Sequence, residues 1–261
     1  TEFRYVRISG AQKENGAAIE SYYSNPILRH VTINNNIGLG SGGAIFFYSN
    51  VILDNIQVFN NTALQAYGGG LTFANSDVLM NNAKIFNNVG EDAGGIYIAN
   101  SNAILNKITI NNNTVAFGVG SGIGEHMSDV TLINSVIVDN YSNFSISSIG
   151  LRNSISMKII NSIVWHNYSS AINTISLVDS PDPIIEFSNI KGGYIGIGNI
   201  DLEPYFSNQE NNDYSLQISS PCIDAGNADT DGDGIDDIAY FGLAPDMGIE
   251  ELECNIEFFF S

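Results

Sequence analysis

The sequence predicts an all-β fold: a single-stranded right-handed parallel β-helix of about seven coils of 25–28 residues, with a C-terminal capping segment. Three observations predict it. A segment of eleven residues recurs along the chain at near-constant spacing. Apolar residues within it alternate with the period of a strand. One turn position is asparagine in every full copy.

The repeat comes first. PILRHVTINNN (26–36) returns as VILDNIQVFNN (51–61), VLMNNAKIFNN (78–88), AILNKITINNN (103–113), VTLINSVIVDN (130–140) and MKIINSIVWHN (157–167). The starts lie 25 or 27 residues apart. TEFRYVRISG opens the chain as a partial copy, so the N-terminus reads as a processed or cut edge. IIEFSNI (184–190) reads as a late copy.

The columns define the faces. Val51, Val78, Ala103, Val130, Met157 and Ile185 form one inward column. Leu28, Leu53, Met80, Leu105, Leu132, Ile159 and Phe187 form the next, two residues on. Ile33, Val58, Ile85, Ile110, Ile137 and Val164 form a third. Between the first two, Ile52, Leu79, Ile104, Thr131 and Lys158 face outward, a partly apolar column. A second element, GGAIFF (42–47), GGLTFA (69–74), GGIYIA (94–99) and SGIGEH (121–126), precedes the strand. It points Ala44, Leu71, Ile96 and Ile123 inward.

Asparagine has columns of its own. Asn36, Asn61, Asn88, Asn113, Asn140 and Asn167 stand at one turn without exception. Asn55, Asn82, Asn134, Asn161 and Asn189 stand at another, with His30 and Lys107 substituting. Stacked asparagines bond side chain to side chain along an axis, and stacked coils make one continuous apolar core. A leucine-rich repeat fits worse, because its fixed leucine pattern is absent. The repeat predicts a β-helix over 1–191 and a capping segment over 192–261, as one continuous unit.

The paired signatures GGAI (42–45) and VFNN (58–61) resemble the β-helix repeats of bacterial surface and autotransported proteins, the polymorphic outer-membrane proteins among them. GNIDLEPYF (198–206), SPCIDAG (220–226) and DMGIEE (246–251) are similar to the closing segment of secreted bacterial β-helix proteins. The resemblance implies a secreted or cell-surface setting. It says little about activity.

Charge narrows the partners. The net charge is −19, from 9 basic and 28 acidic residues, which disfavours a nucleic-acid partner. No apolar run is long enough to span a bilayer. Residues 1–191 carry 13 acids and all 9 bases, and residues 192–261 carry 15 acids and no Lys or Arg. Within that acidic segment, Asp229, Asp231, Asp233, Asp236 and Asp237 cluster around two glycines. Oxygens at such spacing suit calcium, a hard cation. Tyr240 stands where a helix–loop–helix calcium site has its bidentate glutamate. The loop instead resembles those of thrombospondin-type or dockerin repeats and predicts a structural calcium. Cys222 and Cys254 are the two cysteines and are candidates for a structural disulfide.

β-Helices host polysaccharide lyases and hydrolases, but the polygalacturonase and lyase motifs are absent. The best residual catalytic constellation is Glu125, His126, Asp129 and Arg152. Its bland alternative is an irregular coil. Asp139 and His166 replace asparagine in consecutive turns and read as a surface ion pair rather than an acid–base dyad. Phe47, Tyr48, Phe59, Phe86, Tyr97 and Trp165 are candidates for outward positions, where such rings either stack on sugars or lie under loops. The sequence favours a monomeric, non-catalytic adhesion, carbohydrate-binding or display module. A lyase or glycoside hydrolase of the pectate-lyase-like type is the alternative.

Overall fold

In a computed structural model of the chain, residues 1–14, 16–142, 144, 146–167 and 174–252 are described. The chain winds as a parallel β-helix whose coils stack strand on strand. Three parallel sheets run along the rod. The largest contains the repeated segments, including the ten-residue strands Asn50–Phe59, Asp77–Phe86 and Asn102–Asn111. The second is built from four-residue strands such as Ala44–Phe47, Leu71–Ala74 and Ile96–Ala99. The third holds two-residue strands after the asparagine turn.

Register follows the columns. Val51, Val78, Ala103, Val130 and Met157 lie in one line of paired residues, as do Leu28, Leu53, Met80, Leu105, Leu132 and Ile159. All are buried and share one cluster with Phe46, Phe73, Ile98 and Leu151. The late copy shifts. Ile185 pairs with Ile159 rather than extending the Met157 column, and Phe187 is not an inward residue of the Ile159 column. This coil is 26 residues long, two fewer than the apolar pattern alone suggested. Asn189 moves with it: it pairs with Ile163, so Phe187 takes the turn position occupied by Asn161 one coil earlier.

That turn position needs a left-handed backbone. His30, Asn55, Asn82, Lys107, Asn134 and Asn161 have φ between 48° and 53°, and Phe187 has φ 48°. Asparagine adopts this region more readily than other non-glycine residues. Here it bends the long strand so that one segment serves two sides of the coil.

The invariant turn is a buried ladder. Asn36, Asn61, Asn88, Asn113 and Asn140 each donate Nδ2–H to the Oδ1 of the next copy, ending on Asn167, at 2.9–3.0 Å. Each backbone N–H along the same line donates to that same Oδ1. The second amide proton reaches a carbonyl one coil back, such as Val58 O from Asn88 at 2.9 Å. Donors and acceptors in this dry turn are therefore satisfied.

Two serine ladders, which the sequence reading passed over, do the same at other corners. Backbone N–H groups of Ser24, Ser49, Ser76 and Ser101 donate to the hydroxyl of the serine one coil on. A second line runs from Ile108 through Ser135 and Ser162 to Ser188.

The acidic segment does two things. Residues 194–202 stack on the last coil: the N–H of Phe187 donates to Ile197 O, and Asn199 Oδ1 accepts from Ser188 N–H. Tyr194 packs against the core there. The chain then turns back along the flank of the rod. Phe206, Tyr214, Leu216, Cys222 and Met247 bury Val136, Val138, Ile163 and Trp165. Trp165 faces out from the coil in the column of Phe59 and Phe86, but it is buried under this segment and offers no ring to a ligand.

Candidate functional site

The predicted constellation of Glu125, His126, Asp129 and Arg152 does not converge. Glu125 lies in the second sheet, paired between Ile98 and Leu151, and its side chain enters the core column of Phe46 and Phe73. It is wholly buried, whereas Asp129 and Arg152 are exposed. Strand alternation sends adjacent residues to opposite faces, so Glu125 and His126 cannot share a solvent-facing site. His126 does pair with Arg152 in the next coil, but Asp129 is bound instead to the Ser156 hydroxyl.

Glu125 interrupts the first serine ladder. The N–H of Ser128 donates to Glu125 Oε1 and not to Ser154. Among the described residues, Glu125 Oε2 and the Ser154 hydroxyl are left without a hydrogen-bond partner. Burial pushes the Glu125 carboxyl up to about 7, opposed by the bond it accepts from the Ser128 N–H.

Asp139 and His166 sit half-buried beneath the returning segment rather than on an open surface. Gln209 Nε2 donates to both Asp139 carboxylate oxygens at 2.8 Å and contacts His166 Nδ1 at 3.2 Å. Burial raises the Asp139 carboxyl, while Gln209 and Tyr214 hydrogen bonds pull it down. Glu203 approaches His166 Nε2 at 3.6 Å and accepts from Trp165 Nε1. These polar groups fasten the segment to the rod.

In the acidic loop, Asp229, Asp231 and Asp237 bring carboxylate oxygens within 4.8 Å of one another; Asp233 and Asp236 are outside this group. Asp229 accepts backbone N–H bonds from Gly232, Asp233 and Gly234, which curl the loop around it. Asp237 Oδ2 accepts from the Thr230 N–H and hydroxyl. Asp237 is held below the usual carboxylate range by these Thr230 bonds. The hard oxygen donors of the three grouped aspartates suit calcium. Lys158 Nζ donates to the Thr230 carbonyl at 2.8 Å and pins the loop to the rod. Cys222 is buried, with its Sγ 3.2 Å from Asn189 Nδ2, and Cys254 lies outside the described residues.

The aromatic candidates stack on each other. Phe59 and Phe86 lie 4.8 Å apart at an interplanar angle of 8°, and Tyr23 and Tyr48 match them at 4.8 Å and 6°. Tyr22 stacks on Phe47 likewise. In each pair one ring covers a face of the other, which limits the flat surface offered to a sugar.

A groove that the sequence reading did not single out crosses the outer face of the largest sheet. Its volume is about 620 Å³. Ile27, Ile52, Leu79, Ile104 and Thr131 form its floor, one residue per coil. Asn50, Asp77, Asn102 and Asp129 form a polar rail beside it in the same register. Asn102 Nδ2 donates to Asp77 Oδ1 at 2.8 Å. The next residue in the floor column is Lys158, so the groove ends where the acidic loop is pinned. The floor column was legible in the repeat; the rail follows from the same alignment one register earlier.

No curated protein matches the sequence. Among solved structures, the crystal structure of pectate lyase Pel9A superposes with a TM-score of 0.49 and 14% identity. The match covers 95% of this chain and 72% of that one, a likeness confined to the fold. A family description, the right-handed β-helix region, matches residues 1–137, just over half of the chain. With its parallel coils and continuous ladders, the chain belongs to the right-handed β-helix family.

Proposed function

We propose that the protein is a non-catalytic extracellular or cell-surface module that binds a glycan along its rod. The observation that carries this reading is the groove across the coils from Ile27 to Thr131, with an aliphatic floor and an amide–carboxylate rail. Sugars offer both C–H faces and hydroxyls, and such a lining meets both. The strongest catalytic candidate from sequence, Glu125, points into the core instead. Glycan-array binding, run beside turnover assays on the same polysaccharides, tests the reading. Binding without turnover is expected; turnover lost in Arg152→Ala overturns it.

One observation favours a hydrolytic alternative. Asp77 and Asp129 stand in one column two coils apart, about 10 Å by strand spacing. That is just beyond the roughly 6.5–9.5 Å used by inverting glycosidases. Release of reducing ends that vanishes in both Asp77→Asn and Asp129→Asn supports that alternative.

Calcium is the cofactor of this reading, structural and held by Asp229, Asp231 and Asp237. The loop's attachment through Lys158 makes it part of the flank covering. Chelation with EDTA is expected to lower the melting temperature, and calcium to restore it. An unchanged melt removes calcium from the reading.

A further inference from the structure

We infer that the groove selects glycans free of acidic groups and discriminates against polyuronates, an inference that rests on the glycan-binding reading above. Among the described residues lining it, Asp77 and Asp129 are the charged groups, and no Lys, Arg or His is present. The base nearest in the floor column, Lys158, lies one coil past Thr131, with its ammonium bonded to the Thr230 carbonyl. Arg29 stands two residues from the floor on the opposite side, paired with Asp54 at 2.8 Å and Glu2 at 3.3 Å. A uronate laid on the floor therefore meets two carboxylates and no cation among the lining residues, the Lys158 charge standing past its end.

The hydrogen-bonding character points the same way. Asn25, Asn50, Asn102 and Thr131 can donate and accept, and Asp77 and Asp129 accept. A sugar hydroxyl also donates and accepts, so it matches every member of this set. A uronate carboxylate only accepts, and it finds donors in four of the six. Leu79 and Ile104 are 39% and 49% exposed, leaving aliphatic surface for the C–H faces of a pyranose. The one-per-coil repeat of floor and rail presents the same pair of contacts again about 4.8 Å further along, which suits a linear polymer aligned with the rod axis.

Isothermal titration at low salt with xylohexaose, cellohexaose and hexagalacturonate tests this on the whole chain. At least one neutral hexasaccharide is expected to bind, with hexagalacturonate about tenfold weaker or worse. In the double variant Asp77→Asn, Asp129→Asn, the gap is expected to shrink to within about threefold. Leu79→Arg, on the exposed floor, is expected to weaken the neutral ligand and strengthen the uronate. Equal or tighter uronate binding by the native protein overturns the inference and leaves the glycan-binding reading standing. Binding that ignores Leu79→Arg places the ligand elsewhere and overturns the assignment of the groove. Failure of all three sugars to bind overturns the glycan-binding reading itself.

Discussion

Glu125 is an acid in a column of hydrophobes, and the rod bears a pH-dependent cost for it. Its carboxyl is raised from 4.5 to about 7 by burial. The folded state therefore holds a proton that the unfolded chain releases between those values. The penalty is absent below pH 4.5, grows as pH rises, and is complete above about 7. Its full size is on the order of 3 kcal/mol. Glu125→Gln is expected to remove most of this dependence. Thermal melts at pH 5 and pH 8 check it: the native protein should lose stability between them and the variant should not. Sequence showed that Glu125 replaced an apolar residue. It could not show that the side chain stays inside, because alternation gives the side and not whether a carboxyl accepts burial. For the acidic loop the limit was different. Spacing identified five aspartates, but only folding decides which three oxygens meet.

Among elements, the asparagine ladder is the most fully encoded in sequence. Six identical residues at one turn implied stacked amides, and they bond as expected. Replacing Asn88 with alanine strands the Asn61 amide and backbone N–H on one side, and on the other takes the side-chain donor from the Val58 carbonyl and leaves Asn113 Oδ1 with the backbone N–H alone. The expected loss is about 2–4 kcal/mol, read by urea unfolding, and larger than for Asn81→Ala on the outer face. The serine ladders were less visible. Serine is common and its column shifts between two corners, so identity alone does not mark it. Ile185, Phe187 and Asn189 were misplaced for a related reason: in a shortened coil the apolar spacing admits two registers, and only hydrogen bonding to Ile163 and Ile159 chooses between them.

At the scale of the molecule, the segment after the last coil is folded back along the rod. The segment carrying most of the net charge reaches from the last coil to Asn111 and Asn112, which both donate to Asn212 Oδ1. Trp165 anchors it from below, with Lys191 4.3 Å above the ring. Trp165→Ala is expected to cost about 3–5 kcal/mol and to expose the segment beyond Leu202 to limited proteolysis while the coils stay resistant. Equal protease resistance in variant and native protein contradicts this. Sequence placed a capping segment there because the repeat stopped. It gave no sign of the flank attachment, because Gln209, Asn212 and Tyr214 belong to no repeat and their partners lie up to 101 residues upstream.

That attachment makes the rod mechanically unequal along its length. Bonds between Asn212, Gln209, Asn227 and Thr230 of the returning segment and Asn111, Asp139, Asn161 and Lys158 tie it to three successive coils. A pull that separates these coils must also shear the strap. Among the described residues, the first coils, around Glu2–Arg4 and Ile27–Arg29, are held by their neighbouring coils alone. Under tension applied at the two ends, the rod peels from its N-terminal coils one step at a time, and the strapped half gives way last, as a block.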